Sequence, residues 1–146
     1  NVETPKENVA GLNGIRFKDT KGNLIDLGDL KGKVIFLNFW ATWCPPCRRE
    51  MPVLAKAEQN NPDINFVLIN QREPADTVKQ FLAQMSLQFS QVLLDTTGQV
   101  PQQFGAFGLP VTLYFDAQGQ LVDSHMGEVS DASLAAAISR LRNSSP

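Results

Sequence analysis

The feature that most constrains the fold is a buried strand that leads directly into a pair of cysteines. Residues Val34 to Trp40 read V-I-F-L-N-F-W and are almost uniformly apolar, which is typical of a central strand covered on both faces of a sheet. Cys44 and Cys47 follow at once, in the sequence W-C-P-P-C. The chain therefore needs helices to cover that sheet. The two thiols lie after the C-terminal end of a central strand, which is where open sheets bind ligands and carry out chemistry.

Patterns on either side of this strand predict one mixed sheet with helices packed against it. Apolar runs and alternating stretches mark the strands, and apolar residues at helical spacing mark the helices. The predicted order is a hairpin over 15–18 and 24–27, a strand over 34–40, a helix from the cysteines to Glu58, a strand over 64–70, a helix over 75–85, a short edge strand over 91–95, a short helix over 98–104, a hairpin over 111–115 and 121–126, and a last helix capped by Ser130 or Asp131.

Composition narrows the class of protein. A chain of 146 residues that is 42% hydrophobic suits one domain, which we place at residues 13–143 after a polar lead-in at 1–12. The net charge of −2, with scattered basic residues, argues against binding to nucleic acid or an anionic membrane. The longest apolar run is too short to span a bilayer, so any membrane attachment would come from a signal or anchor segment preceding Asn1.

Cys44 and Cys47 are the two cysteines of the chain, and their number excludes several roles. A disulfide scaffold needs more cysteines, spread along the chain. Structural zinc needs about four ligands, whereas His125 is the single histidine and is expected at the surface. A disulfide closing a two-residue loop would add little stability, and the Thr and Arg setting of a peroxidatic cysteine is not apparent. The pair is therefore placed for redox chemistry, and no metal is expected.

Cys44 and Cys47 are expected to have different roles, because a strand-to-helix turn places them one helical turn apart. The turn predicts Cys44 at the first position of the helix, where free N–H groups and the helix dipole stabilise a thiolate, so Cys44 is the expected nucleophile. Cys47, one turn further along, can resolve the mixed disulfide. Pro45 and Pro46 lack an N–H, so we expect a moderate lowering of the Cys44 pKa. That favours a reductant or a balanced exchanger over a strong oxidant.

The longer motifs resemble a known family. F-W-A-T-W-C-P-P-C-R-R-E-M-P at 39–52 and G-L-P-V-T at 108–112 resemble the thioredoxin fold. The N-terminal hairpin and the inserted helix and strand at about 74–95 are similar to its TlpA-like and ResA-like branch, over residues 12–142. The resemblance implies an α/β, thioredoxin-like fold. Its central mixed β-sheet would be flanked by helices on both faces, with the N-terminal β-hairpin and the inserted helix and strand added.

The resemblance also implies a function. Members of this branch exchange dithiols and disulfides with proteins, including cytochrome c maturation partners, in the bacterial periplasm or on the outer face of the membrane, and each is usually tethered by an N-terminal helix. We therefore expect a monomeric thiol:disulfide oxidoreductase that acts as a reductant, takes electrons from another dithiol protein and needs no small cofactor. Two alternatives stay open: a disulfide oxidase or isomerase, and a non-catalytic thioredoxin-like binding module.

Further site residues follow from the resemblance. Pro110 matches the cis-proline beside the cysteines, and the backbone of Leu109 is the expected contact for an extended substrate segment. Trp43 is expected on the apolar rim of that substrate site, together with Pro45 and Pro46. Without the resemblance, Pro110 could equally be a trans proline at a strand start.

Glu50 is the expected proton acceptor. It lies three residues after Cys47 on the same helix face and matches an acidic residue thought to tune the cysteine pKa values in the ResA-like group. Asn38 stands where many cytoplasmic thioredoxins have a buried Asp, and an amide cannot accept that proton. From the residues alone, Glu50 could also be a solvated side chain favoured by the helix dipole.

Overall fold

A seven-stranded mixed sheet organises residues 11–144, which the computed structural model describes. The elements are β1 (Arg16–Asp19), β2 (Leu24–Asp26), a 3₁₀ helix (Leu27–Leu30), β3 (Val34–Trp40), α1 (Pro45–Asn60), β4 (Ile64–Gln71), α2 (Ala75–Gln84), β5 (Gln91–Asp95), α3 (Val100–Gln103), β6 (Val111–Phe115), β7 (Leu121–Met126) and α4 (Asp131–Ser144). The predicted order of elements is confirmed, and the architecture is the thioredoxin-like α/β fold that the resemblance implies.

The sheet places β3 near its centre. The strand order is β2-β1-β5-β4-β3-β6-β7, with β3, β4 and β5 parallel and the other pairs antiparallel. Both neighbours of β3 are therefore strands, which agrees with its uniformly apolar sequence. The C-terminal end of β3 delivers the chain to the cysteines.

The prediction that 91–95 forms an edge strand is wrong. β5 pairs with β4 on one side and with β1 on the other, through Lys18 opposite Leu94 and Asp19 opposite Leu93. The N-terminal hairpin thus extends the sheet beyond β5, and β2 and β7 are the edges. The pairing joins segments about seventy residues apart, so no local pattern indicates it.

Alternate side chains along the strands divide the core into two layers. The three long helices α1, α2 and α4 pack on one face of the sheet, against residues such as Phe36, Phe66 and Tyr114. Leu27 of the 3₁₀ helix and Phe104, which follows α3, cover the other face with Leu12. Leu12 is 2% exposed, so core packing starts within the predicted lead-in, of which residues 1–10 lie outside the described part. Within residues 11–144, no helix combines the length and the apolarity needed to cross a bilayer.

Leu54 offers a test of this packing. It is fully buried on α1 among the cysteine-side core residues, so Leu54→Ala should lower the free energy of unfolding by about 3 kcal/mol through lost burial and the cavity left behind. Leu24→Ala, at a leucine on edge strand β2 that is 63% exposed, is the matched control and should change it by less than about 0.5 kcal/mol. Chemical denaturation of both variants measures the difference, and equal losses would contradict this view of the core.

Candidate active site

Cys44 and Cys47 form a disulfide at the start of α1. Their Cα atoms are 5.2 Å apart, and both residues are buried. The backbone N–H of Cys47 donates to Cys44 Sγ over 3.3 Å. Cys44 is the N-cap residue, with φ −92° and ψ 111°, rather than the first helical residue as predicted. The cap position aims its sulfur at the free amides of the first turn, which is the placement that stabilises a thiolate.

The two prolines shape that environment. Pro45 and Pro46 occupy the first positions of the helix, where fixed φ suits the helix and a missing N–H costs little. Because neither can donate, the Cys47 amide is the first helix N–H available to the Cys44 sulfur. Pro45 is exposed and Pro46 half-buried, so both border the site.

Glu50 is a buried carboxylate with two hydrogen bonds. It is 0% exposed, so the alternative of a solvated side chain is wrong. Its Oε1 accepts from the backbone N–H of Val129 over 3.1 Å, and its Oε2 accepts from Asn38 Nδ2 over 2.9 Å. Burial raises the pKa of Glu50 from 4.5 to about 7, and the negative charge of Glu128 adds to it, although both hydrogen bonds act to lower it. The group can therefore gain or lose a proton near neutral pH.

Asn38 connects Glu50 to the neighbouring strand. Its Nδ2 also donates to Thr112 Oγ1 over 3.2 Å, and Thr112 lies in β6 directly opposite Asn38. Asn38 Oδ1 is buried and has no partner within the described residues. The amide that cannot accept a proton thus holds the carboxylate that can, and it ties the cysteine helix to the strand that follows Pro110.

Pro110 and Leu109 lie at the start of β6. The peptide bond between them is cis, as the resemblance implies, so the alternative of a trans proline is wrong. The carbonyl of Pro110 accepts from the N–H of Gly127 over 2.8 Å. Leu109 is half-buried and packs against both core layers. It therefore stands at the boundary between the sheet and the surface beside the cysteines.

A groove runs along the surface beside Cys44. Its volume is about 280 Å³, and both Trp43 and Leu109 line it. Trp43 is 67% exposed and Phe107 is 71% exposed, so two large apolar side chains stand open to solvent on its walls. We call this cavity the substrate groove; its lining residues are Trp43, Gln71, Arg72, Gly98, Pro101, Gln102, Ala106, Phe107, Gly108 and Leu109. A larger cavity, of about 790 Å³, lies beside Lys33, Ile64 and Gln91, at the opposite ends of the strands.

Hydrogen bonds from Thr42 to Glu73 clamp the loop before Cys44, and they are not among the features predicted from the sequence. The carboxylate of Glu73 accepts from the backbone N–H of Thr42 over 2.8 Å, from Thr42 Oγ1 over 2.6 Å and from Asn70 Nδ2 over 2.8 Å. The carbonyl of Thr42 accepts from Arg48 over 3.3 Å. Thr42 is thus held through three groups, which fixes the loop that presents Trp43 and Cys44. The residues are far apart in sequence, and no motif marks the pairing.

Other polar groups near the site form surface pairs. Arg49 and Glu128 form an ion pair at 2.9 Å, and His125 Nε2 lies 3.0 Å from the carbonyl of Glu128, near the surface as predicted. Across residues 11–144, His, Cys, Asp and Glu side chains do not gather into a group of three or more that could hold a metal ion.

The known proteins that this chain resembles include thiol-disulfide oxidoreductases. The Redoxin family model matches residues 8–138. The ResA thiol-disulfide oxidoreductase of Halalkalibacterium halodurans is 35% identical over 84% of this chain. MTB DsbF superposes with a TM-score of 0.82 at 28% identity, covering 90% of this chain and 97% of that one. A secreted Mycobacterium tuberculosis disulfide oxidoreductase homologous to E. coli DsbE superposes with a TM-score of 0.76 at 26% identity, covering 92% and 98%.

The match covers only part of the length of the ResA proteins. It spans 71% of the protein from Halalkalibacterium halodurans and 65% of the one from Bacillus subtilis. The chain thus spans about two thirds of the curated relatives it matches.

The pKa of Glu50 predicts how stability depends on pH. In the oxidised protein the cysteines do not titrate, and the folded state binds the Glu50 proton more tightly than the unfolded state does. Stability from this group is therefore highest below pH 4.5 and declines as pH rises through about 7. Relative to Glu50→Gln, the free energy of unfolding of the wild type should fall by about 2 kcal/mol between pH 5 and pH 8.

Chemical denaturation of both oxidised proteins at the two pH values measures this change. The glutamine variant suits the comparison because Asn38 Oδ1 is unpartnered, so rotation of that amide lets it accept from the introduced side chain. A wild type and variant that change in parallel would show that Glu50 does not titrate in this range.

Proposed function

Because the chain belongs to the Redoxin family and to its ResA-like thiol–disulfide oxidoreductases, we propose that it reduces protein disulfides in an extracytoplasmic compartment. The observation that carries this proposal is the Cys44–Cys47 pair at the start of α1, with the Cys47 amide donating to the Cys44 sulfur. A buried carboxylate one helical turn away and an open apolar groove supply a proton acceptor and a docking site. No step of the proposed reaction needs a small cofactor.

The reaction uses the dithiol form of the pair. The Cys44 thiolate attacks one sulfur of a substrate disulfide, and the other substrate sulfur leaves as a thiolate that takes up a proton. Cys47 then loses its proton and attacks the Cys44 sulfur of the mixed disulfide. The second substrate sulfur leaves, and the Cys44–Cys47 disulfide forms. Two electrons pass to the substrate, and an upstream dithiol protein must return them before the next cycle.

Glu50 is the proposed acceptor of the Cys47 proton. Its pKa of about 7 suits a base that must be ionised before the transfer and protonated after it. The two hydrogen bonds from Val129 and Asn38 hold the carboxylate in one orientation. Asn38 is therefore a positioning residue in this proposal.

In this proposal the substrate is recognised by the backbone at Leu109 and by apolar side chains around the groove. An extended segment can pair with the backbone at Leu109 as an added strand, with Pro110 shaping the groove. Trp43, Pro45 and Pro46 form the rim on the cysteine side. Backbone pairing does not by itself depend on the substrate's side chains, which suits a reductant with protein partners.

The proposal extends to the direction of electron transfer, the location of the protein and its partners. The two prolines leave few amides for the Cys44 sulfur, which favours a moderate pKa and a reducing role. The similar Mycobacterium tuberculosis protein is described as secreted, which supports a periplasmic or other extracytoplasmic location. A membrane anchor in a segment preceding Asn1 is a further part of the proposal and follows from the family resemblance alone. We propose that the protein acts as a monomer and that its substrates include proteins of cytochrome c maturation.

Two serine variants test the division of labour between the cysteines. Cys44→Ser should lose at least about 99% of insulin-disulfide reduction, because the attacking thiolate is removed. Cys47→Ser should attack once and stop, so that a covalent mixed disulfide accumulates. Turbidity measures insulin reduction, and non-reducing electrophoresis shows the adduct.

Other results would favour the alternatives. No reduction by the wild type would favour a binding module, and reduction by Cys44→Ser would remove Cys44 from its role. A wild type that oxidises a reduced peptide faster than it reduces insulin would assign an oxidase or isomerase.

Glu50→Gln tests the proton acceptor. The wild-type rate of insulin reduction should decline as pH falls below about 7, since the carboxylate then carries a proton. The variant should lack that part of the profile and be about tenfold slower at pH 8. Glu58→Gln, on the same helix, is the matched control. Unchanged thiol pKa values and rates in Glu50→Gln would show that the carboxylate has no part in the reaction.

A further inference from the structure

Arg72 adopts a backbone conformation that arginine rarely takes. Its φ is 64°, in the left-handed region that favours glycine. Among the described residues, Ser86 is the other non-glycine with positive φ, and it follows α2, where the N–H of Leu87 donates to the carbonyl of Leu82. That pattern is a common way to end a helix. Arg72 ends no helix, since it lies between β4 and α2, so its strain has no such explanation and points to a function.

Neighbouring contacts hold Arg72 in this conformation. Its backbone N–H donates to the carbonyl of Asp95 over 2.9 Å, and Glu73, the next residue, is clamped to Thr42. The side chain lies over Gly98 so closely that a Cβ atom at residue 98 would stand 2.8 Å from Arg72 Cγ. The anchored backbone therefore places a long cationic side chain on the wall of the substrate groove.

Arg72 is the single charged residue among those that line the groove. Its side chain has no hydrogen-bond or ion-pair partner within residues 11–144. The carboxylate of Asp95 is engaged with Thr97, Gly98 and Val100, and that of Glu73 is engaged with Thr42 and Asn70. The guanidinium is thus free to bind a ligand.

The other arginines at this end of the sheet already have partners. Arg48 donates to the carbonyl of Thr42 and lies over the ring of Phe81. Arg49 pairs with Glu128. Within residues 11–144, Arg72 is therefore a positive charge without a partner on a groove that the exposed side chains of Trp43 and Phe107 also line, although the chain as a whole carries a net charge of −2.

We propose that Arg72 is a specificity-determining residue that selects substrate segments with an Asp or Glu side chain close to the target cysteine; the proposal rests on the disulfide-exchange function above. A guanidinium matches a carboxylate with two parallel hydrogen bonds. Because Arg72 and both aromatic side chains are exposed to solvent, the pair is screened, and a modest preference is expected. A lysine at the same place in the substrate would meet a like charge and be disfavoured.

Short peptides with one cysteine provide the test. Each carries that cysteine as a mixed disulfide with 2-mercaptoethanol, and the flanking residue is Glu, Gln or Lys. The measured quantity is the second-order rate constant for oxidation of the reduced protein. It is divided by the rate constant for the same peptide with free 2-mercaptoethanol, which removes intrinsic differences in reactivity. The wild type should prefer the Glu peptide over the Lys peptide by about fivefold, and 0.5 M salt should suppress the preference.

Variants separate the charge of Arg72 from its backbone strain. Arg72→Gln and Arg72→Gly should both bring the preference to within about twofold, although only glycine relaxes the left-handed conformation, and Arg72→Glu should reverse it. Arg140→Gln, at an exposed arginine that pairs with Asp123 and lies outside the groove, is the matched control and should keep it.

The outcomes distinguish the two proposals. Equal rates for the Glu and Lys peptides with the wild type, or a preference that persists in Arg72→Gln, overturn the role of Arg72. If the Gln peptide also fails to oxidise the reduced wild type in a Cys44-dependent reaction, the proposed function itself fails.

Discussion

The burial of one carboxylate is the constraint on which the site depends. Removing the charge of Glu50 from water is unfavourable unless polar partners replace it, and the fold supplies a side-chain amide from β3 and a backbone amide from the segment before α4. To place these donors on Glu50, three elements must meet: the helix that carries the cysteines, the central strand β3, and the segment between β7 and α4. Burial raises the pKa of this carboxyl group to about 7, although both donors act to lower it, so the packing that buries Glu50 also sets its proton chemistry.

The ends of strands bring the remaining parts together. The C-terminal end of β3 leads to Cys44, the end of β4 leads to Arg72 and Glu73, and the start of the antiparallel strand β6 follows Pro110. All three lie at the same end of the central strands, because β6 runs opposite to β3 and β4. A thiol pair, a clamped loop and a groove can therefore share one surface while the core behind them stays apolar.

Much of this arrangement is predictable from the sequence, since it is encoded locally. The apolar run of β3, the helical spacing after the cysteines and the turn-rich hairpins identify the elements, and W-C-P-P-C identifies the thiol chemistry. The long-range pairings are not encoded in this way. The placement of β5 between β1 and β4, the clamp of Glu73 on Thr42 and the positive φ of Arg72 each depend on residues distant in the chain. Spacing places Glu50 on the face of Cys47, but only the packed structure shows that its charge is buried.

The donor at Val129 gives the site an unequal tolerance of sequence change. Its hydrogen bond to Glu50 comes from the peptide backbone, so an apolar residue that fits the buried position of Val129 preserves the donor. The bond from Asn38 belongs to a side chain and disappears with most single substitutions. Among related proteins, substitutions at position 38 would change the pKa of the Glu50 carboxyl group, whereas tolerated substitutions at position 129 would keep its backbone hydrogen bond. The proton chemistry can thus be retuned without dismantling its support.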